Sequence, residues 1–220
     1  MAEEVKDERW PRALWGCLIV LVLEAALVAV ALPKSMIQSQ LQQELDWAVS
    51  VYGVKESNNL VSSANSAYAL AFIDSGVNDA VHDVFFPKAA PTTFVERFAK
   101  KATAPWFNWL SNRVGALKTM VYLATYRVVN YLYWLPYFVA MGLPALFAGF
   151  MQWQIKKHNF DYSSPFFNHY GHMIIMWSPV AVILSILAPI AIPPILFCIL
   201  IVVLLPIAFM WIVSNLPKRI

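Results

Sequence analysis

Charge is scarce in this chain: 13% of its 220 residues are Asp, Glu, Lys or Arg, against about 25% in an ordinary soluble domain. Hydrophobic residues reach 60%, and they gather in uninterrupted runs too long for the core of a small globule. Together these point away from a soluble protein and toward an all-α integral membrane protein. Cysteine is nearly absent. Cys17 and Cys198 both lie inside apolar runs, which excludes a disulfide framework and offers no zinc spacing. The formal net charge is only +3, too weak to mark a nucleic-acid binder, so direct nucleic-acid binding is not expected. Also missing are a phosphate loop, a Ser/His/Asp constellation, paired catalytic acids, an HExxH pattern and a repeat of the span pattern. No catalytic residue, cofactor or metal is therefore expected, and the protein is expected not to be an enzyme.

What is present is membrane-crossing sequence. Ala13–Leu32 is a 20-residue apolar run interrupted only by Glu24, enough to cross a hydrocarbon core of about 30 Å. Ala29-Val30-Ala31 resembles a signal-peptidase site, but the run is expected to stay as a span. Val128–Phe150 is a second run of 23 residues. From Met173 to Val213 no charge occurs over 41 residues; as one helix this would measure about 60 Å, twice the core thickness. Two spans are predicted there, broken at Pro193-Pro194, because consecutive prolines remove donors and push the preceding residue out of the helical region. The expected organisation is a cytoplasmic N-terminus (1–12), a first transmembrane helix (13–32), an external helical domain with an interfacial helix (33–127), a second transmembrane helix (128–150), a cytoplasmic loop (151–172), a transmembrane hairpin forming helices three and four (173–213), and a cytoplasmic C-terminus (214–220).

Orientation follows from the flanks. Lys6, Arg9, Arg12, Lys156, Lys157, Lys218 and Arg219 fall on one side of a four-span layout, which places both termini in the cytoplasm. Pro33–Leu117 carries seven basic and seven acidic residues and is long enough to translocate regardless. Within it Ile37, Leu41, Leu45, Ala48, Val49 and Tyr52 recur at helical steps, with Gly53 as a natural end. Leu60, Ala64, Ala67, Tyr68, Ala71 and Phe72 mark a second helix over about 57–75. Shorter helices are predicted over 77–86 and from Thr92/Thr93 to Lys101, ahead of Pro105. Trp106, Phe107 and Trp109, beside Lys100, Lys101 and Arg113, suit a helix lying in the headgroup layer.

Glu24 is the one ionisable residue deep in a span, where a carboxylate costs several kcal/mol unless protonated or partnered. It is expected to form an intramembrane polar contact with Arg127, Asn130 or Tyr131. An intersubunit contact and a proton relay are the other readings. Gly142, Ala145 and Gly149 offer small surface for close helix packing, either inside the bundle or at a homo-oligomer seam. In the loop, Lys156, Lys157, Phe166, Phe167, His169, Tyr170 and His172 form a surface for a partner or for lipid headgroups. His169 and His172 could share a helix face, but nothing beside them completes a metal site.

Several of these residues carry a family resemblance. Leu135-Pro136-Tyr137-Phe138, Gly142, Gly149, Lys156-Lys157, Ser163/Ser164, Phe167, His169 and Gly171-His172, with Leu41-Gln42-Gln43-Glu44-Leu45-Asp46-Trp47 upstream, resemble the integrating conjugative element membrane proteins. Here Asn168 stands where many members have the first of two adjacent histidines. The resemblance implies an inner-membrane component of a conjugative type IV secretion apparatus, encoded near the coupling ATPase, and the leading expectation is a non-enzymatic subunit that binds the coupling ATPase or neighbouring channel proteins. A stand-alone membrane transport or entry-exclusion protein is the competing function.

Overall fold

The computed structural model of the chain describes Trp15, Ile19, Leu23 and residues 32–80, 94–159 and 164–216, with the backbone alone over 94–108. Apart from Trp15, Ile19, Leu23 and Leu32, the expected first span lies outside the described residues, Glu24 included, as do 81–93. Every described element is helical.

Helix α1, Lys34–Tyr68, continues into π turns over Ala69–Ile73. It is two helices joined at Gly53, whose φ of 79° and ψ of 166° interrupt the helical run. Glycine visits positive φ without a Cβ clash, so the chain can reverse there. Before Gly53, Ile37 packs with Ala116, Met120 and Leu123, and Tyr52 reaches Asn130. After it, Leu60 and Ala64 pack with Tyr126, Asn65 bonds to Tyr122, and Asn78 bonds to Lys118. The chain thus runs down the next long helix and back up it. Both helices follow the periodicity in the sequence, and Gly53 ends the first as its position suggested.

Helix α2, Phe94–His158, is 65 residues long. This corrects one expectation, since Pro105 does not end a helix; α2 also runs unbroken through 127–128, where an external domain was expected to give way to a span. A proline inside a helix forfeits one hydrogen bond and crowds the preceding turn, a cost that packing or a membrane setting can absorb. Pro136 and Pro144 lie within α2 in the same way.

Helix α3, Pro165–Leu187, and helix α4, Pro194–Ser214, form the hairpin. The break is longer and earlier than expected, because Pro189 joins Pro193-Pro194 in making it. The residue before each proline is driven from helical geometry; Ala188 has ψ 129° and Pro193 ψ 133°. Pro189 is accordingly part of the turn and not a kink inside a span. Within α4 the chain widens into π turns over Ile199–Leu204, just before Pro206, which supplies no N–H to the carbonyl four residues back. Of the stretch 151–172, expected as a cytoplasmic loop, the first part is the end of α2 and the last part is the start of α3. Charge and polarity marked where composition changes, whereas the helices run on past those points.

Among the described residues three helical segments are long and apolar enough to cross a membrane, Trp109–His158, Pro165–Leu187 and Pro194–Ser214. These suggest membrane association. The hairpin packs along the second half of α2. Tyr131 meets Phe197 at 4.5 Å between ring centroids, Phe138 meets Phe209 at 6.1 Å, and Gly149 lies against Met210 and Val213.

Candidate functional site

The most polar point of the interior lies where α1, α2 and the hairpin break converge. Arg127 and Asn130 on α2 are 0% exposed and Glu44 on α1 is 1% exposed. Arg127 donates from Nε to Glu44 Oε1 at 3.1 Å and Oε2 at 3.3 Å, and from Nη2 to Glu44 Oε1 as well. Its remaining donors go to backbone carbonyls: Nη1 to Ser185 at 2.7 Å, Ile186 at 3.3 Å and Ala188 at 2.6 Å, and Nη2 to Ile190. Glu44 Oε1 in turn accepts the Ile192 N–H at 2.8 Å, and Gln40 Oε1 accepts that of Ala191 at 2.7 Å.

The chemistry is that of a clamp. The last carbonyls of a helix have no partner within it, and a backbone turn away from water must find its hydrogen bonds in the protein. Arg127 supplies them at the C-terminal end of α3, where a cation also suits the helix dipole. Glu44 neutralises the guanidinium and satisfies an N–H across the same turn. Two neighbours extend the network. Tyr131 Oη and Ser185 Oγ lie 2.6 Å apart, and Tyr52 Oη donates to Asn130 Oδ1 at 2.6 Å while accepting from Trp134 Nε1 at 2.9 Å. Burial pushes the Tyr52 phenol up to about 12, so it keeps the proton it donates throughout the neutral range. Tyr52→Phe should lower stability by about 1–3 kcal/mol, the cost of a buried acceptor left without its donor. The midpoint of thermal unfolding in detergent would show it, and an unchanged midpoint would contradict the network.

The expected contact of Glu24 with Arg127, Asn130 or Tyr131 lies outside the described residues; among the described residues these three meet Glu44, Tyr52 and Ser185. Glu44 was missed, although its position carried a signal. It falls three residues after Leu41, four before Ala48 and seven after Ile37, so it sits on the apolar stripe rather than between its members.

Of the small residues, Gly149 makes a close approach: a Cβ there would lie 2.9 Å from the Met210 carbonyl oxygen and 3.1 Å from Val213 Cβ. Gly142 has only the Phe138 ring of its own helix near it, at 3.7 Å, and Ala145 is half-buried. Gly171 was not assigned a packing role, yet its Cβ would meet Ile212 Cγ1 at 2.8 Å and the Ala208 carbonyl at 3.0 Å.

At the other end of the bundle the expected surface residues divide. Lys156 Nζ turns to the Ser214 carbonyl at 3.2 Å and Asn215 Oδ1 at 2.9 Å, while Lys157 lies over the Trp153 ring at 5.4 Å. Phe167 packs on Trp211, centroids 5.3 Å apart. Phe166 remains 60% exposed and pairs with Tyr170 at 4.4 Å. His169 and His172 are exposed, and among the described residues no group of three His, Cys, Asp or Glu side chains is placed to hold a metal.

Residues 28–216, which include α1 to α4 and the clamp, match a family described as DtrJ-like, IncC plasmid conjugative DNA transfer protein DtrJ-like. No curated protein and no solved structure matches the chain.

Proposed function

Because the chain belongs to the DtrJ-like family of plasmid conjugative DNA transfer proteins, we propose that it is a non-enzymatic membrane subunit of a conjugative DNA-transfer apparatus, docking the coupling ATPase or neighbouring channel proteins. The family indicates involvement in conjugative DNA transfer. It agrees with the sequence resemblance in process, although the family matched is a different one from the integrating conjugative element proteins. The inner membrane is the proposed location, with both termini cytoplasmic. In support, Lys156 is bonded to Ser214 and Asn215, so the basic end of α2 and the C-terminal end of α4 share one end of the bundle, and the clamp lies at the other.

The observation that carries docking is the exposed aromatic pair at that basic end. Phe166 and Tyr170 pack against each other with their rings tilted by 51° and stand out beside His169 and His172. Exposed aromatic residues are frequent anchors at protein interfaces. Phe167, though exposed, also packs on Trp211, so Phe166→Ala with Tyr170→Ala is the cleaner test. We expect this variant to accumulate normally, to recover less coupling ATPase on affinity purification, and to transfer DNA less often. Parental recovery and transfer at normal abundance would remove this surface as the docking site.

A further inference from the structure

The turn of α1 at Gly53 stands at the level of an aromatic cluster on α2, and that juxtaposition identifies a surface outside the docking end. Tyr52 lies 5.2 Å from Tyr133 and 5.8 Å from Trp134 between ring centroids, and Trp134 lies 5.2 Å from Tyr137. Trp153, beside Lys156 and Lys157, marks the opposite end of the same stretch of α2. From Trp134 to Trp153 the helix rises about 28 Å at about 1.5 Å per residue, close to the hydrocarbon thickness of about 30 Å. No charged residue falls between Arg127 and Lys156. Tyrosine and tryptophan at both ends of an uncharged stretch of this length are the pattern of residues at the two faces of a bilayer.

Tyr52 belongs to the first cluster although it comes from α1, and it brings the turn with it. Around that turn Val49, Val51 and Val54 are exposed, Val54 by 64%, and Lys55 is exposed next to them. Elsewhere α1 shows water Gln42, Gln43, Asp46, Ser62, Ser63 and Ser66, together with Met36 at its start and Leu70 and Ile73 at its far end. Val49, Val51 and Val54 are the exposed apolar residues of the helical pair at the level of the aromatic layer.

We propose that the Gly53 turn contacts the phospholipid surface on the side away from Lys156 and Lys157. The apolar tips of Val51 and Val54 enter the interfacial layer and Lys55 lies among the phosphates. The helical pair would then be held at two points, by the clamp at Glu44 and by lipid at its tip. The inference rests on the membrane placement of α2 and not on the conjugative role.

The test uses the full chain with Cys17 and Cys198 replaced by alanine, reconstituted in vesicles of phosphatidylethanolamine and phosphatidylglycerol. Nitroxide labels are placed singly at Val51, Val54, Asp74 and Phe147, and collision rates with oxygen and with a water-soluble nickel chelate are compared. Phe147, 61% exposed in the middle of the uncharged stretch, should have the highest oxygen-to-nickel ratio. Asp74, at the far end of the returning helix, should have the lowest. Val51 and Val54 should fall between them, several-fold above Asp74. A ratio at Val51 and Val54 equal to that of Asp74 would put the turn in water and overturn the proposal. Shielding of both valines from both reagents would mean a protein cover, and overturns it equally. A water-like ratio at Phe147 would instead remove the membrane placement of α2 and the proposal with it.

Discussion

Arg127→Met should lower stability by about 3–5 kcal/mol, the range for removing one partner of a buried ion pair, and should be the most damaging single substitution in the described chain. The loss has two sources. Glu44 would be left as an unpaired carboxylate at 1% exposure, and the carbonyls of Ser185, Ala188 and Ile190 would lose their donor at the end of α3. Glu44→Gln should cost less, because the neutral side chain can still accept the Ile192 N–H and Arg127 keeps its carbonyl partners. Thermal unfolding in detergent and protease cleavage of the hairpin would rank the two variants. If Glu44→Gln proved the worse, charge neutralisation rather than closure of the turn would be the main task of the pair.

Gly149→Ala should cost about 1–3 kcal/mol, the usual range for overpacking a fitted interface. The obstructing atoms are backbone: the added carbon would approach the Met210 oxygen to 2.9 Å and its Cα to 3.1 Å, so relief requires α4 to move as a whole. Gly142→Ala is the control within the same helix. Its new carbon meets only a ring of α2 at 3.7 Å, and exchanging a helical glycine for alanine can gain about 0.5–1 kcal/mol. Unfolding midpoints shifted in opposite directions would show that close approach, and not glycine content, joins α4 to α2. Equal shifts would contradict it.

The contrast between these glycines shows what sequence could and could not say. Spacing identified Gly142, Ala145 and Gly149 as small residues on α2, but which of them faces another helix depends on the crossing of α2 and α4. Local pattern served well where one residue decides the outcome, as with Gly53 and with the prolines that break the hairpin. It did not show how far helices continue, since α2 and α3 extend through polar sequence that composition assigns to a domain boundary and a loop. The clamp was the hardest part to foresee. Arg127 stood out as a charge at the edge of an apolar run, yet its partner lies 83 residues earlier, and a carboxylate on an amphipathic helix is ordinarily taken to face water.

The separation of the clamp's parts along the chain also orders its construction. Glu44 and Arg127 leave the ribosome well before Ser185–Ile192, and domains generally fold from the N-terminal side during synthesis. The ion pair is thus available as a ready-made socket when the last turn of the hairpin arrives. The final two helices need carry no charge of their own to close that turn, and they can remain as uniformly apolar as passage into a bilayer favours.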